Sequence, residues 1–548
     1  MTPVSPTAPP AATPSASPSS GLDAQQSSPS AFREVELKLH AAPADLARVA
    51  SLPGLLALAD GPPVTQRLRT AYFDTPDLKL AANGVALRVR REGDRFVQTL
   101  KTVNSASPGD SAAVAVRREW DWAVAGEAVD VGVLGDASVA GLVPAAALDA
   151  LDCLFVTDFR RTTLMLRPDP LTAVELAVDD GGSYAGGRSL PISEVELELK
   201  AGKVASLFDL ALTLQAAIPM RIGTESKAEA GLRLVTGKAP GPVEAEPLGL
   251  SPLTTAAEAY RHILRQALRH FLANEACALA GRDVEGLHRM RVALRRLRTA
   301  HRLFAPLIAA PEADRLVEES RALAKHLGPA RGWDVLMSGV IDPLLAESAA
   351  TSSGAAAAID RVALERLATL ARTAGAGPAR EAVAAILAPG CTSMILALAA
   401  WLEHGRWMSE AEGDRRTALS APVTSVAGGW LSERLAKLGK PVKAPEDAKG
   451  RDKLRRRLRM LRYTADFFRG LYPEAATLPF FAALEPLQAA LDADQDAVTS
   501  ARMLGALGGA DPKTVAAAAA WIDRQSDKRR KALPELLKRF RAVPPFWA

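Results

Sequence analysis

The sequence is poor in cysteine and contains no long apolar run. Its three cysteines, Cys153, Cys277 and Cys391, lie far apart and show no Cys-x-x-Cys spacing. This pattern excludes a disulfide framework and favours a reducing cytoplasm. No apolar run is long enough to cross a bilayer, and the first residues lack the basic and apolar regions of a secretory signal. We therefore predict a cytoplasmic protein without a membrane segment.

Charge of one sign is not in large excess either. The chain carries 67 Lys and Arg against 62 Asp and Glu, a net charge of +5 over 548 residues. So small an excess says little about partners, and the positions of the charges matter more than their sum. The length predicts about two to four domains. The hydrophobic fraction of 48% is that of an ordinary globular chain.

Composition and periodicity divide the chain into four segments. Residues 1–31 are rich in Ala, Pro and Ser and are predicted to form a disordered tail. Residues 32–236 alternate apolar and polar residues in short runs, as antiparallel strands do. Residues 237–252 are rich in Pro, Gly and Glu and form a predicted linker. Residues 253–543 have a helical period, so a β-rich domain followed by an all-α domain is expected.

Charged residues occupy one face of several predicted strands. In Glu34–Lys38 two Glu and one Lys alternate with apolar residues, and Glu194–Lys200 repeats the pattern with three Glu and one Lys. The segment Leu87–Arg90 is an all-basic counterpart. Residues two apart in a strand point to the same face. A solvated sheet face is the ordinary place for such charges, but it usually mixes the two signs because neighbouring like charges cost energy.

The separation of acidic from basic strands favours an enclosed lumen in which the two kinds face each other. Carboxylate oxygens bind hard cations, and basic side chains bind an anion rich in oxygens. Mg²⁺ between carboxylates and phosphate oxygens is the natural link between them. No Ser-His-Asp or Cys-His arrangement is evident in this half of the chain, and chemistry of this kind needs none.

The motifs between Phe32 and Arg233 resemble, in their order, the CYTH superfamily of triphosphate tunnel metalloenzymes. Glu34–Lys38 matches the Glu-x-Glu-x-Lys signature of that family. The other matching motifs are Tyr72–Asp77, Ala86–Arg90, Gln98–Lys101, Arg118–Trp120, Asp158–Thr162, Glu194–Lys200 and Ser226–Lys227. The resemblance implies an α+β domain built on an antiparallel eight-stranded β tunnel, acting on triphosphates with Mg²⁺ or Mn²⁺.

The same resemblance implies roles for the charged side chains. Expected metal ligands are Glu34, Glu36, Glu175, Asp179, Glu194 and Glu196. Expected catalytic residues are Lys38, Glu196 and Glu198. Expected phosphate-binding residues are Lys38, Arg88, Arg90, Lys101, Arg118, Arg160, Arg161, Lys200 and Lys227. The register of the strand with three Glu stays open. Only one of Arg160 and Arg161 can face the lumen from a regular strand, and we favour Arg160.

Two segments of the second half carry a basic stripe beside an apolar stripe. Leu287–Arg298 and Leu454–Arg462 repeat the same offsets, which suggests an internally duplicated helical unit. In both, the basic stripe is displaced by one position from the apolar stripe, so it lines a groove between helices. A solvated basic face is the simpler alternative for either helix alone. Few acidic residues accompany these arginines, so an anion is expected to join them.

The segment from Leu253 to Phe540 resembles the CHAD domain, an α-helical domain named for its histidines. The matching motifs are Asn274–Glu275, His288–Arg298, Leu327–Asp334 and Arg455–Tyr463. The resemblance implies an all-α domain of two four-helix bundles around a basic channel that binds inorganic polyphosphate. The expected polyphosphate-binding residues are His288, Arg291, Arg295, Arg298, Arg331, Arg455, Arg459 and Arg462.

The helical segment departs from the family pattern at three places. Asp452 stands where the second repeat usually has His, and Gly332 follows Arg331 where Asp is usual. The late motif, which usually resembles Leu-Asn-Asp, reads Ala-Asp-Gln-Asp over Ala493–Asp496. These departures count against histidine-based metal binding.

Both halves therefore point to phosphate chains as ligands. The favoured function is hydrolysis of inorganic triphosphate with Mg²⁺ or Mn²⁺, with polyphosphate bound by the helical half. A thiamine triphosphatase or an adenylate cyclase would need a thiazole or nucleobase pocket, and no aromatic cluster in the sequence indicates such a pocket. A non-catalytic polyphosphate-binding protein at polyphosphate granules is a further alternative. Nucleic acid is disfavoured because aromatic residues for stacking are sparse, and the oligomeric state stays open.

Overall fold

The computed structural model describes residues 32–102, 110–135, 139, 141–281, 283–308, 310–350, 360–439 and 446–548. Residues 1–31, for which the composition predicts a disordered tail, lie outside these described residues. Within them the chain forms a β-rich N-terminal domain and a mostly helical C-terminal domain, as the two periodicities predict.

The described residues of the N-terminal domain form nine strands, with five α-helices between and after them. The strands are β1 (Phe32–Ala41), β2 (Val64–Asp74), β3 (Val85–Glu92), β4 (Arg95–Thr102), β5 (Val114–Val124), β6 (Asp152–Leu166), β7 (Ala173–Ala185), β8 (Arg188–Ala201) and β9 (Met220–Gly223). The helices are α1 (Pro43–Val49), α2 (Pro53–Leu56), α3 (Lys79–Ala82), α4 (Ala205–Ala217) and α5 (Lys227–Thr236).

Eight of these strands close into an antiparallel barrel. The order around the ring is β1-β5-β4-β3-β2-β6-β7-β8, and β8 pairs with β1 again. One edge of β1 pairs first with β5 and then, from Lys38 onward, with β9. The expected eight-stranded tunnel is confirmed. Because the ring is closed, the alternating side chains of every strand divide into an outer face and a lumen.

Apolar residues lie on the outer face of the barrel and charged residues line its lumen. Leu37 and Leu39 of β1 are fully buried in a core that includes α4. Trp120 of β5 lies in a second core with Leu80 of α3. The outer helices thus bury the apolar half of each alternating strand, which leaves the charged half to face inward.

Helix α5 brings a lysine into the lumen. It begins at a capping box in which Ser226 and Glu229 each accept a hydrogen bond from the other's backbone N–H. Gly231 allows α5 to lie against β6, since a Cβ atom there would be 2.0 Å from the ring of Phe155. The side chain of Lys227, in the first turn, is thereby held among the carboxylates of β7 and β8.

The C-terminal domain is all helical in the described residues. Its helices are α6 (Ala256–Ala273), α7 (Glu275–Ala280), α8 (Glu285–Ile308), α9 (Pro311–Leu336), α10 (Asp342–Ala350), α11 (Arg361–Leu387), α12 (Pro389–His404), α13 (Arg406–Ser409), α14 (Gly413–Ser420), α15 (Thr424–Ala436), α16 (Ala448–Phe468), α17 (Glu474–Ala506) and α18 (Pro512–Ala542). The two predicted basic segments lie in α8 and α16, and their leucine stripes are buried.

No single helix in the described ranges is long and apolar enough to cross a membrane, although the bent pair formed by residues 361–387 and 389–409 passes that test of length and composition.

The two domains share one apolar core. Helix α4 packs on α12, and one continuous cluster of buried residues runs from β1 through α4 to the helices of the second domain. Polar contacts flank it: Gln215 donates a hydrogen bond to the carbonyl of Pro389, and Arg221 donates to Glu275 at 2.7 Å. Residues 237–252 contain no helix or strand and lie against the second domain, where Asn274 pairs with the backbone of Val243.

The shared core predicts that a cavity in α4 destabilises both domains. Leu214 is fully buried in this core. We expect Leu214→Ala to lower the free energy of unfolding by about 2–5 kcal/mol, the usual cost of such a truncation. Urea unfolding followed by tryptophan fluorescence and by far-ultraviolet circular dichroism measures it. Thr213→Ala, an exposed change on the same helix, is the control. A helical signal that stays at its original midpoint would contradict the shared core.

Candidate functional sites

The lumen of the barrel is a charged cavity of about 330 Å³. Most of the side chains that the sequence nominates line it. They are Glu34, Glu36, Lys38, Arg88, Arg90, Lys101, Arg161, Glu175, Glu196, Glu198, Lys200 and Lys227. The predicted convergence of acidic and basic side chains from separate strands is therefore a feature of the fold.

Three carboxylates form a row across neighbouring strands. Glu36 of β1 lies directly opposite Glu198 of β8, and Glu198 lies directly opposite Glu175 of β7. We call Glu36, Glu198 and Glu175 the acidic row. Like charges placed opposite each other in a sheet repel. The row therefore favours a cation bound between its members.

Glu36 is the most deeply buried member of the acidic row. Its Oε1 atom is buried and has no hydrogen-bond partner, and the Nζ atom of Lys38 is 3.8 Å away. Burial, followed by the negative charge of Glu196, raises the pKa of Glu36 to about 7. Burial also raises the pKa of Glu198. An unpaired buried carboxylate oxygen next to further carboxylates is a fitting ligand for a hard divalent cation.

A second acidic group is already paired with amines. Asp179, Glu194 and Glu196 offer oxygens within 4.8 Å of one another, close enough to hold a metal ion. The Nζ atom of Lys227 lies among them, 2.7 Å from Asp179 and 2.8 Å from Glu196. Burial would lower the pKa of Lys227, but these three carboxylates outweigh it and raise that pKa. Lys38 adds contacts to Glu194 at 3.1 Å and Glu196 at 3.0 Å.

The opposite wall of the lumen is basic. Lys101 donates hydrogen bonds of 3.1 Å to Glu34, and Arg88 donates one of 3.1 Å to Glu119. Arg90 is less compensated: the nearest carboxylate oxygen with which it forms an ion pair, on Glu92, is 3.7 Å away. Burial, then the neighbouring Arg88 and Arg161, lowers the pKa of Arg90 to about 10. An oxyanion in the lumen would relieve this crowding of positive charge.

Two of the expected phosphate-binding residues face outward. The expectation for Arg118 is wrong, because its side chain is exposed and lies over the ring of Trp120, whereas the adjacent Arg117 is buried and lines the lumen. The preference for Arg160 is also wrong. Arg160 forms an exposed ion pair with Asp180 at 3.0 Å, and Arg161 faces the lumen. In both strands the alternation is shifted by one residue from the expected one.

The helical domain contains a second charged cavity, of about 680 Å³. We call it the helical channel. Its walls come from α8 and α9 and from the repeated pair α16 and α17. Seven of the eight side chains expected to bind polyphosphate line it. They are His288, Arg291, Arg295, Arg331, Arg455, Arg459 and Arg462.

Positive charge is crowded in the helical channel. The Nη1 atom of Arg291 and the Nε atom of Arg295 are buried and have no hydrogen-bond partner. Burial, followed by Arg295 and Arg331, lowers the pKa of Arg291 to about 10. Burial and the same group of arginines lower the pKa of His288 to about 3. His288 is therefore neutral at physiological pH and can offer a hydrogen bond without adding charge.

The expectation for Arg298 is wrong, since it does not line the helical channel. It lies one turn beyond Arg295, near Arg302 and Arg321. The sequence-based interpretation missed Arg289 and Arg296, which do line it, and also the carboxylates Asp466 and Asp492. The carboxylates come from positions outside the basic segments, so the stripes alone could not reveal them.

Comparison with known families identifies both domains. The family model described as the CYTH domain matches residues 33–232, and the one described as the CHAD domain matches residues 262–505. The chain contains a CYTH domain followed by a CHAD domain. Together the two matched segments cover more than half of the chain.

Individual relatives match parts of the chain. An inorganic triphosphatase from Haemophilus influenzae is 33% identical over 169 residues, which are 30% of this chain and 46% of that protein. The chain thus spans about half the length of this curated relative. The solved CHAD domain of Ricinus communis is 27% identical, with a TM-score of 0.45, over 56% of this chain and 98% of that one.

A Hippeastrum protein, described as a candidate adenylyl cyclase with a dominant triphosphatase activity, is 19% identical with a TM-score of 0.27. That match covers 37% of this chain and 96% of that one. The assignment of the two domains rests on the family models.

The CYTH lumen also holds residues that the sequence-based interpretation missed. Tyr72, Arg117, Glu119 and Asp121 all line it. A signal for the last three exists in β5, where they alternate with the buried Trp120 and Trp122. Tyr72 stacks on Phe155, with ring centroids 4.5 Å apart.

The positions of Arg117 and Arg118 predict opposite effects of two neighbouring substitutions. We expect Arg117→Ala to weaken tripolyphosphate binding roughly tenfold or more, the usual cost of losing a charged hydrogen-bond donor. Arg118→Ala removes an equal charge from the outer face and should leave the affinity unchanged. Isothermal titration calorimetry in EDTA measures both affinities. Equal losses for the two variants would contradict the observed alternation of β5.

Proposed function

We propose that the CYTH domain hydrolyses inorganic triphosphate, with a divalent metal, to pyrophosphate and orthophosphate. The observation that carries the proposal is the division of the lumen. Glu36, which has a buried and unpaired carboxylate oxygen, and Arg90, which is crowded by other arginines, face the same cavity. A metal ion and a phosphate chain together satisfy both. The similarity to an inorganic triphosphatase over part of the chain supports this choice of substrate.

The metal fits the acidic row first. Glu36 has the unpaired oxygen, with Glu198 and Glu175 beside it and Glu34 on the same face of β1. Oxygen ligands of this kind suit Mg²⁺ or Mn²⁺. The second acidic group would hold a metal only if Lys227 moved. When bound, such a metal neutralises phosphate oxygens and makes phosphorus easier to attack.

The side chains of the lumen then have separate roles. Arg88, Arg90, Arg117 and Lys101 bind the oxygens of the phosphate chain and stabilise the charge that develops on the leaving pyrophosphate. Lys38, Arg161 and Lys227 position Glu196 and hold it ionised, since together they keep the pKa of Glu196 well below its usual range in spite of burial. The raised pKa of Glu198 suits a group that accepts a proton from the attacking water.

The substrate and the acidic row are tested together by one screen. We expect phosphate release with Mg²⁺ or Mn²⁺ to be faster from tripolyphosphate than from ATP, thiamine triphosphate or long-chain polyphosphate. Glu36→Gln should reduce the rate by about a hundredfold or more, because it removes a ligand charge at the centre of the acidic row. Asp180→Asn, on an exposed carboxylate, is the control. A strong preference for ATP, or full activity in Glu36→Gln, would contradict the proposal.

We also propose that the CHAD domain binds inorganic polyphosphate in the helical channel. The crowded and partly unpaired arginines of α8 and α16 support this, because repelling like charges favour an anion between them. A flexible chain of phosphates can bring one charge to each arginine along the channel.

Charge reversal in the helical channel tests this second proposal. We expect the double variant Arg291→Glu and Arg455→Glu to weaken long-chain polyphosphate binding by about a hundredfold or more, since two attractive contacts become repulsive. Arg372→Glu with Arg380→Glu, on the exposed surface of α11, is a control of equal charge change. Fluorescence anisotropy with labelled polyphosphate measures the affinities. Equal weakening in both double variants would contradict binding in the helical channel, because net charge alone would then explain the loss of affinity.

A further inference from the structure

The arginines of the helical channel fall into two groups. Within the described part of the chain, Arg291, Arg295, Arg331 and Arg462 form no ion pair. By contrast, the other four each form an ion pair with a carboxylate: Glu244 pairs with Arg289, Asp466 with Arg296, and Asp492 with both Arg455 and Arg459. The two groups adjoin, because Arg295 lies close enough to Arg459 to contribute to its lowered pKa.

Asp492 differs from Glu244 and Asp466 because it holds two arginines of the channel at once. Its Oδ1 atom accepts hydrogen bonds from Arg459 and, at 3.2 Å, from Arg455. Its Oδ2 atom accepts from Gln488 at 3.0 Å. Asp492 lines the channel, and about a third of its side chain is exposed. Its carboxylate thus occupies a position in which a phosphate group could contact the same two guanidinium groups.

This arrangement gives the channel two kinds of anion position. A short phosphate chain can contact the unpaired arginines without disturbing any existing ion pair. A longer chain extends to Arg455 and Arg459, where it must compete with Asp492. We propose that Asp492 is an internal counter-anion that a long phosphate chain displaces, so that it sets the chain length above which the CHAD domain gains affinity. This inference rests on the proposed polyphosphate binding.

Asp452 provides a matched comparison on the other side of the same arginine. It accepts hydrogen bonds from Arg455 at 2.6 Å and 3.0 Å but does not line the channel. A phosphate chain in the channel would not need to displace it. Asp452→Asn and Asp492→Asn therefore make the same change in net charge, and both remove a partner of Arg455, but only Asp492→Asn clears a position inside the channel.

The experiment measures binding of tripolyphosphate and of long-chain polyphosphate to the full chain in EDTA, over a range of salt concentrations. Every chain compared carries Arg117→Ala, which weakens binding in the CYTH lumen, so that the titrations report the helical channel. We expect Asp492→Asn to tighten long-chain binding about fivefold, equivalent to about 1 kcal/mol, and to leave tripolyphosphate binding unchanged. For long-chain polyphosphate, the affinity of Asp492→Asn should also fall more steeply with salt concentration, by a slope that corresponds to about one additional released counterion. Asp452→Asn should bind both ligands as the original chain does. Arg291→Glu, tested in parallel, should lose long-chain binding.

The outcomes distinguish displacement of Asp492 from polyphosphate binding in the helical channel, on which that displacement depends. Unchanged long-chain binding in Arg291→Glu would overturn the proposed channel function itself. If Arg291→Glu loses binding, the inference fails when Asp492→Asn binds the long chain equally or more weakly, because Asp492 would then only orient its two arginines. It also fails when Asp452→Asn tightens binding to the same extent, because net charge alone would then explain the effect.

Discussion

The closure of β1 on β5 is the contact on which the account of the CYTH domain depends. In an open sheet the alternating charges of β1, β3 and β8 would face solvent, where water compensates them. The pairing of Glu34 with Arg117 across β1 and β5 completes the ring and encloses these charges. Once enclosed, every carboxylate and every guanidinium needs a partner inside the lumen. The functional site is thus a consequence of the topology.

Both cavities follow the same rule for charge. In the lumen, Asp179, Glu194 and Glu196 are neutralised by amines, while Glu36 and Arg90 are left under-compensated. In the helical channel, Arg455 and Arg459 share Asp492 as an ion-pair partner, while Arg291 and Arg295 form no ion pair within the described residues and each have a buried nitrogen without a hydrogen-bond partner. Charges with internal partners fix the geometry of a cavity. Charges without them indicate where a ligand of opposite sign gains the most free energy.

Alternation and helical period predict most of the secondary structure, since both depend on neighbouring residues alone. The facing of single residues is harder to predict. Arg117 could have been assigned to the lumen because it alternates with Trp120 and Trp122, which are buried outside the barrel. For Arg161 the same logic fails, because the lumen side of β6 also carries the buried Phe159. Because apolar and charged residues share that face of β6, the alternation does not indicate which of Arg160 and Arg161 faces the lumen.

Contacts between distant segments could not be predicted from local patterns. The closure of β1 on β5 joins residues about 80 positions apart. The separation of acidic from basic strands and the resemblance to a known family both indicate an enclosed lumen, but no local pattern indicates which two strands close it. Asp492, the partner that Arg455 and Arg459 share, comes from α17, more than 30 positions later in the chain. Nothing in the basic stripe of α16 indicates that Asp492 reaches back to it.

The most direct test of the central claim is anomalous diffraction from crystals that contain Mn²⁺ and tripolyphosphate. The account predicts manganese density in the lumen beside Glu36, Glu198 and Glu175, with phosphate density between it and Arg90. Manganese bound only outside the barrel, with the lumen holding neither ion, would contradict the account.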